Sequence, residues 1–194
     1  RLRPSGNAGL LTVHIETYGE YLRQDAWTWE HQALARTRLI YGDSVIAERF
    51  EQIRAEILGQ PRDLNKLRQE VVEMRQKLRE HHGVNSQEVK HKSGGVVDLE
   101  FISQFLVLAY GQQFPELYAY SDNIRILDAA ATCGLMSETE AHALQQAYQQ
   151  LRGVSHRETL QPADGSSQPD LTAAEQAVQA SWQRVMLEAV ASHH

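Results

Sequence analysis

Residues 96–110 constrain the fold of this chain more than any other segment. Their side chains are apolar on nearly every side of a helix, and they include Leu99, Phe101, Ile102, Phe105, Leu106, Val107 and Leu108. A helix that is apolar all round is stable only when other elements cover it. Apolar runs such as residues 101–110 are far shorter than the ~20 residues that a bilayer span requires. The sequence therefore predicts a buried central helix and no membrane partner.

Amphipathic patterns on both sides of this segment predict the helices that cover it. The clearest spans residues 64–78, where apolar residues recur at intervals of three, four, three and four. This stripe is shorter than about three heptads, which favours a helix packed in a bundle over a long coiled coil. The same kind of spacing indicates two further helices. The three stripes are Leu64, Leu67, Val71, Met74 and Leu78; Ile46, Phe50, Ile53 and Ile57; and Val178, Trp182, Val185 and Ala189.

Start and stop signals place the ends of the remaining helices. A helix with Ile15, Tyr18 and Leu22 on one face comes first, and a second is predicted over residues 26–41 with Gly42 as its stop. Short polar side chains accept hydrogen bonds from the free amides of a helix start, and a glutamate three residues later can close a capping box. Such caps are predicted at Asp43 or Ser44, at Ser121, at Ser137 with Glu140, and at Thr172 with Glu175.

The chain opens with a different pattern. Residues 1–13 combine a basic and apolar start with a turn-rich middle and an apolar end, which predicts a short strand or hairpin. We therefore expect a mostly all-α fold: a helical bundle over residues 14–194, preceded at 1–13 by the β remnant of an upstream core. Residues 161–170 are rich in Pro, Gly and Ser and are predicted to form a mobile surface loop.

Composition bounds the function classes. A chain of 194 residues suffices for one substantial core, and its hydrophobic fraction of 42% is that of an ordinary globular protein. The formal net charge of −6 argues against broad attachment to nucleic acid, which needs a basic face. The single cysteine, Cys133, favours a reducing compartment, so we expect a cytoplasmic protein. The first residue is Arg rather than Met, which suggests a piece of a longer protein, and His193 and His194 are either a tag remnant or native.

Two segments carry arginines that suit a phosphate. Arg1 and Arg3 alternate on an extended segment, so both guanidinium groups lie on one side of it, and such forks bind phosphate oxygens in bidentate fashion. The alternative is a solvated basic strand end. The second segment, residues 27–32, contains an unusual concentration of Trp, Glu and His in a short stretch of sequence. It leads into Arg36 and Arg38. Here the alternatives are tryptophans that anchor packing and arginines in structural ion pairs.

A third segment places cations before a glycine pair. Lys90 and Lys92 precede Gly94 and Gly95, and the glycines lead directly into the apolar helix, whose free amides could meet an anion such as a triphosphate. The order of residues is not that of a P-loop. Asp98 and Glu100 diverge on a helix because they are two residues apart, so they are poor joint ligands for one metal ion, and only one is expected to face a pocket. His81, His82 and His91 lack the spacing of a zinc site.

Taken together, these segments resemble glutamine synthetase adenylyltransferase over nearly the whole chain. The segments that carry the resemblance are Arg-Leu-Arg-Pro-Ser-Gly-Asn-Ala-Gly-Leu-Leu at 1–11, Glu-Tyr at 20–21, Ala-Trp-Thr-Trp-Glu-His-Gln-Ala-Leu at 26–34, Arg36 and Arg38, Lys-Ser-Gly-Gly-Val-Val-Asp-Leu-Glu-Phe at 92–101, Ser-Asp-Asn-Ile-Arg-Ile-Leu at 121–127 and Ala-Ser-Trp-Gln at 180–183. That family has two similar halves, and this chain is most similar to the half that attaches AMP. Uridylyltransferases that act on the PII signal protein share only the broader elements.

The resemblance implies transfer of AMP from ATP to a tyrosine of glutamine synthetase, with magnesium ions held by aspartates. Those aspartates lie upstream in the family, so this chain is expected to contain no catalytic residue and no metal ligand, to be inactive alone, and to hold ATP and Mg²⁺ only in the full-length enzyme. We expect phosphate contacts from Arg1, Arg3, Lys90 and Lys92, with Arg36 and Arg38 as further candidates. The expected partners are glutamine synthetase, PII and the upstream core.

Two alternatives remain open. The chain could be a non-catalytic scaffold that binds glutamine synthetase, PII or the neighbouring half, with only structural salt bridges at these positions. It could also be the equivalent domain of the adenylyl-removing half or of a PII uridylyltransferase.

Overall fold

A computed structural model describes residues 12–83, 88–160 and 169–188. Within these ranges the chain forms eight α-helices and no strand, which confirms the predicted all-α class. None of these helices is both long and apolar enough to cross a membrane. The helices are α1 (Ile15–Gln24), α2 (Thr28–Ala35), α3 (Ser44–Leu58), α4 (Leu64–His82), α5 (Val96–Tyr110), α6 (Asn123–Thr132), α7 (Glu138–Leu160) and α8 (Thr172–Trp182).

Helix α5 is the centre of the bundle, as its apolar pattern predicts. It contacts α2, α4, α6, α7 and α8, and the side chains from Val96 through Leu99 and from Phe101 through Leu108 are buried. Burying apolar surface contributes about 25 cal/mol per Å², so a helix enclosed on all sides is a main source of stability. Helices α1 and α3 pack against each other at one side of this centre, and α2 connects them to it.

Helix α2 ends earlier than predicted. The sequence pattern places its end at residue 41, but the helix stops at Ala35, and residues 37–43 contain no helix. The cause is competition for carbonyl oxygens: the Thr37 hydroxyl donates to Leu34 O at 2.7 Å, and Arg54 of α3 donates to Ala35 O at 3.0 Å. These oxygens would otherwise accept the amides of a continuing helix. Gly42 is therefore not the stop signal.

The predicted caps are confirmed in part. Asp43 caps α3 through its carboxylate, and Ser137 accepts the amide of Glu140 at 3.1 Å. Asp63 caps α4 in the same way as Asp43, although this cap was not predicted from the sequence. The prediction for α6 is wrong by one residue, since Asp122 rather than Ser121 is the cap. The prediction for α8 is also wrong, because Asp170 accepts the amide of Thr172 at 2.9 Å and Leu171 holds the cap position.

The predicted strand at 1–13 lies mostly outside the described residues, and Thr12 and Val13 at its end are not in a strand. Most of the predicted loop at 161–170 also lies outside them, as do Ala189, His193 and His194.

Candidate functional site at the junction of α2, α5 and α7

Two polar contacts join α2 to α5 across the bundle. Gln32 Nε2 donates to Gln104 Oε1 at 3.3 Å, and Arg36 Nη1 lies 2.5 Å from Glu100 Oε1. Gln32 and Arg36 are four residues apart, and so are Glu100 and Gln104, so both contacts lie on one face of α2 and one face of α5. The later residue of α2 pairs with the earlier residue of α5, so the helices run antiparallel there. The structure therefore brings together the Trp-rich segment and the helix after the glycine pair.

Helix α7 completes a cluster around Glu100. Arg152 Nη1 lies 3.8 Å from Glu100 Oε1 and donates to the Tyr148 hydroxyl at 3.2 Å. Burial opposes the charged form of Arg36, but the Glu100 carboxylate and the Tyr148 hydroxyl outweigh it, so the pKa of Arg36 is raised. Two guanidinium groups share one carboxylate, and the side chains of Arg36 and Arg152 are both partly exposed. Such a cluster carries a surplus positive charge and can accept an anion.

Asp98 lies on the other side of the same helix and is occupied by structural contacts. Its oxygens accept from Arg75 Nε at 2.5 Å, from Arg79 Nη2 at 2.8 Å and from the amide of Gly94 at 2.8 Å. Asp98 and Arg75 are almost completely buried. The prediction that Asp98 and Glu100 diverge is confirmed, because they bind different arginines.

The expectation that the glycine turn offers free amides to an anion is wrong. The amides of Gly95, Val96 and Val97 donate to the carbonyl oxygens of the preceding turn, and that of Gly94 donates to Asp98. The glycines instead permit close packing. Gly94 has a φ of +74°, and a Cβ there would lie 2.6 Å from the Glu175 carbonyl oxygen of α8.

The predicted phosphate-binding residues do not all converge. Arg1 and Arg3 lie outside the described residues. Lys92 Nζ lies 2.5 Å from Glu175 Oε1 of α8, while Lys90 and Arg38 are exposed. Within the described part of the chain, Arg36 is the member of the predicted set that joins the Glu100 cluster. Sequence reasoning missed Arg152, whose available signal was its position one turn after Tyr148 on an amphipathic helix.

A groove of about 780 Å³ lies between the start of α2 and the face of α4. Trp27 is 72% exposed at its edge, contrary to a role as a packing anchor. Glu30 is buried below and accepts from the Trp27 amide at 2.9 Å and from the Tyr21 hydroxyl, so its role is structural. The burial of the Tyr21 hydroxyl and its bond to Glu30 raise the pKa of Tyr21 to about 12.

Residue His31 at the base of this groove is held in its neutral form. Its Nε2 lies 2.9 Å from Leu22 O, which can only accept, so Nε2 carries the proton. Its Nδ1 lies 3.4 Å from Arg62 Nη2, which can only donate. Burial lowers the pKa of His31. The hydrogen bond to Leu22 O opposes this effect, the nearby Arg62 charge lowers the pKa further, and Glu30 has a smaller raising effect.

This environment predicts acid sensitivity. The pKa of His31 is lower in the folded state than its ordinary value of about 6.5, so the unfolded chain takes up the proton first as the pH falls. Stability from neutral His31 is present above about pH 6.5 and is lost below it, by at most about 1.4 kcal/mol per pH unit. We expect the free energy of unfolding of His31→Gln to fall less steeply than that of the wild type as the pH is lowered below about 6.5, measured by urea denaturation. His91, whose pKa is also lowered, keeps the variant from being fully flat. Equal slopes for both proteins would contradict the assignment.

The histidines in the described part of the chain do not form a metal site. His82 and His91 stack with their ring centroids 3.8 Å apart. No group of three or more His, Cys, Asp or Glu side chains in the described ranges could hold a metal ion.

Two family models match this chain. Residues 62–183 match the model described as GlnD PII-uridylyltransferase, which is more than half of the chain, and the chain therefore belongs to that family of nucleotidyltransferase-related helical domains. Residues 1–53 match the model described as glutamate-ammonia ligase adenylyltransferase. Glutamate-ammonia ligase is glutamine synthetase, so the two matches together confirm the predicted resemblance to a helical fragment of glutamine synthetase adenylyltransferase, although the adenylyltransferase match itself covers residues 1–53.

Proposed function

We propose that this chain is the helical part of an enzyme that transfers AMP from ATP to a tyrosine of glutamine synthetase. One observation carries the proposal. The adenylyltransferase match covers α1, α2 and the first part of α3, the other match covers α4 to α7 and α8, and α2 packs on α5 through the Gln32–Gln104 and Arg36–Glu100 contacts. The segment that matches an adenylyltransferase therefore shares one core with the rest of the chain.

The proposed reaction joins a tyrosine hydroxyl oxygen to the α-phosphorus of ATP and releases pyrophosphate. We propose that the aspartates that hold magnesium belong to an upstream module, and that this chain supplies arginines to the phosphates. Magnesium, when bound, would act as a Lewis acid on the phosphate oxygens. Glu100 holds the Arg36 guanidinium in one orientation, and a pre-oriented guanidinium loses less entropy when it binds a phosphate.

The proposed phosphate contacts come from Arg1 and Arg3 in the opening segment and from Arg36, with Arg38 beside it. Lys90 and Lys92 remain in the proposal with a weaker expected role. Because Lys92 already pairs with Glu175, its positive charge is largely matched within the chain. A weaker attraction to an incoming phosphate follows.

The test uses the full-length enzyme and α-phosphate-labelled ATP. We expect Arg3→Ala and Arg36→Ala each to lower kcat/KM for ATP by about tenfold to a hundredfold, since a hydrogen bond to a charged group contributes about 1.5–3 kcal/mol. Lys92→Ala should have a smaller effect. The matched control is Arg23→Ala, because Arg23 pairs with Glu56 at 2.7 Å and is about as exposed as Arg36, but lies at the α1–α3 contact. Melting curves check that each variant is folded.

The same assay separates the alternatives. Label transferred from ATP to glutamine synthetase supports the proposal, whereas label transferred from UTP to PII supports a uridylyltransferase. Unchanged transfer and unchanged ATP affinity in Arg3→Ala and Arg36→Ala would reject the phosphate contacts and leave a helical scaffold. We further propose that PII acts on the full-length enzyme and that the enzyme is cytoplasmic.

A further inference from the structure

The Glu100 cluster is open to a dissolved ion. Among the ion pairs between described residues, Glu100 and Asp98 are the carboxylates that each pair with two arginines. The Asp98 group is closed, because its carboxylate and Arg75 are almost completely buried. In the Glu100 group the side chain of Arg36 is 29% exposed and that of Arg152 is 44% exposed. The surplus positive charge of this group is therefore within reach of a ligand.

The two guanidinium groups of the cluster lie close enough to share one anion. Arg36 Nη1 is 2.5 Å and Arg152 Nη1 is 3.8 Å from the same oxygen, Glu100 Oε1. The separation of the two nitrogens therefore cannot exceed these two distances combined. Hydrogen bonds from a guanidinium to a phosphate oxygen are about 2.7–2.9 Å long, so the oxygens of one phosphate or of two linked phosphates can meet both groups.

Arg152 has hydrogen-bond donors left for a ligand. A guanidinium carries several N–H donors, and within the described ranges Arg152 donates to the Tyr148 hydroxyl, at 3.2 Å. The 3.8 Å separation from Glu100 is longer than a hydrogen bond, so this carboxylate attracts Arg152 without occupying a donor. The guanidinium carbon also lies 5.8 Å from the centre of the Tyr148 ring. These contacts hold Arg152 in place and leave most of its donors open to an oxyanion.

We propose that Arg36 and Arg152 form a binding site for a diphosphate group, with Glu100 and Tyr148 holding the two guanidinium groups in position. A diphosphate suits the site better than a single phosphate, because it offers more charge and more oxygens to two separated cations. Free pyrophosphate and the β- and γ-phosphates of a nucleoside triphosphate both carry this group. The inference rests on the proposed function for the place of the group in a reaction, where it is the part of ATP that leaves.

Isothermal titration calorimetry of this chain with inorganic pyrophosphate, in buffer without magnesium or phosphate, tests the site. We expect saturable binding, and Arg152→Ala should weaken it about tenfold, as expected for the loss of a hydrogen bond between charged groups. Arg152→Lys should have an intermediate affinity, because lysine keeps the charge but not the planar fork. No saturable binding by the wild type, or equal affinity in the wild type and Arg152→Ala, would overturn the inference.

The matched control is Arg125→Ala. Arg125 Nε lies 2.5 Å from Asp122 Oδ2, and its guanidinium carbon lies 4.1 Å from the centre of the Tyr120 ring, so Arg125 has the same kinds of partner as Arg152. Its charge is matched by that one carboxylate, and its loss should leave the affinity for pyrophosphate unchanged. Equal weakening in Arg125→Ala and Arg152→Ala would mean general attraction to surface arginines and would refute the site.

Glu100→Gln distinguishes a binding site from a cluster that is only structural. The substitution removes the one negative charge of the cluster, while the amide oxygen can still accept from Arg36. We expect pyrophosphate to bind about threefold to tenfold more tightly, because the nearby carboxylate no longer repels it. Unchanged or weaker binding in a variant whose melting curve shows a folded protein would contradict the proposal.

Parallel titrations with ATP and AMP identify the source of the diphosphate. AMP has no diphosphate and should bind about tenfold more weakly than pyrophosphate, so equal affinities would refute the site. Tighter binding of ATP than of pyrophosphate assigns the site to a nucleotide, and the reverse order assigns it to free pyrophosphate.

The two proposals fail separately, because calorimetry requires no AMP transfer. A chain that binds pyrophosphate through Arg152, in an enzyme that does not modify glutamine synthetase, refutes the proposed function alone. An active enzyme whose helical chain does not bind pyrophosphate refutes this site alone.

Discussion

Asp98→Ala should lower the free energy of unfolding by about 3–5 kcal/mol, the largest effect we expect from any single side chain. Asp98 is buried and accepts hydrogen bonds from Arg75, Arg79 and the amide of Gly94. Arg75 is itself only 1% exposed, so its charge cannot turn to water when the carboxylate is removed. The variant leaves an uncompensated guanidinium between α4 and α5. Urea denaturation followed by circular dichroism measures the change.

The matched control is Glu56→Ala. Glu56 also binds an arginine through two bonds, to Arg23 Nε and Nη2 at 2.7 Å, but this pair is exposed. Exposed ion pairs contribute about 0–1 kcal/mol. If Asp98→Ala costs no more than Glu56→Ala, the buried pair does not stabilise the junction of α4 and α5 as we infer.

Gly95→Ala should lower the free energy of unfolding by about 3 kcal/mol. A Cβ at this position would lie 2.3 Å from Val89 O and 2.8 Å from Lys92 O, and both are backbone atoms that cannot turn away. The turn before α5 must open to admit the methyl group. This opening weakens the backbone hydrogen bonds that hold the start of α5. Thermal or urea unfolding reports the loss.

Gly153→Ala is the opposite case and serves as control. Gly153 lies within α7, and nothing lies within 4 Å of a Cβ built there. Alanine favours the helix over glycine by about 0.5–1 kcal/mol, so this variant should be more stable than the wild type. A loss of stability in Gly153→Ala, or none in Gly95→Ala, would contradict the packing that the structure assigns to the two glycines.

The helices were predictable where the pattern was local. The apolar stretch predicted the central helix at residues 96–110, and α5 has these bounds. The end of α2 was not predictable, because it depends on Arg54, a residue nineteen positions later that takes the carbonyl oxygen of Ala35. Thr37, which donates to Leu34 O, is the local part of the cause, and its preference alone does not predict where the helix ends.

The glutamates at helix starts were also not predictable from local sequence, because their partners are distant in the chain. Glu140 and Glu175 fit the capping-box spacing, yet Glu140 binds Ser181 and Arg184, and Glu175 binds Lys92. A carboxylate binds a cationic side chain more strongly than it binds a neutral backbone amide, even when the cation lies far away in the sequence. Glu30, which has no Ser or Thr three residues before it, does accept the amide of Trp27 at 2.9 Å.

Individual residues of the candidate site were predictable from the sequence, but the contacts between them were not. Sequence reasoning selected Arg36 and separated Glu100 from Asp98, since helical spacing fixes which face a residue occupies. That Arg36 and Glu100 meet, and that Arg152 joins them, follows from how three helices cross. The spacing of residues within one helix does not encode that crossing.

The two contacts between α2 and α5 also fix how these helices can move. Because the helices are antiparallel, a slide of one turn would set Gln32 opposite Glu100 and Arg36 opposite Val96, an apolar residue. The guanidinium would then lose its acid, and no intermediate register restores it. A displacement of α2 along its axis would therefore break both contacts, and we expect α2 and α5 to move together.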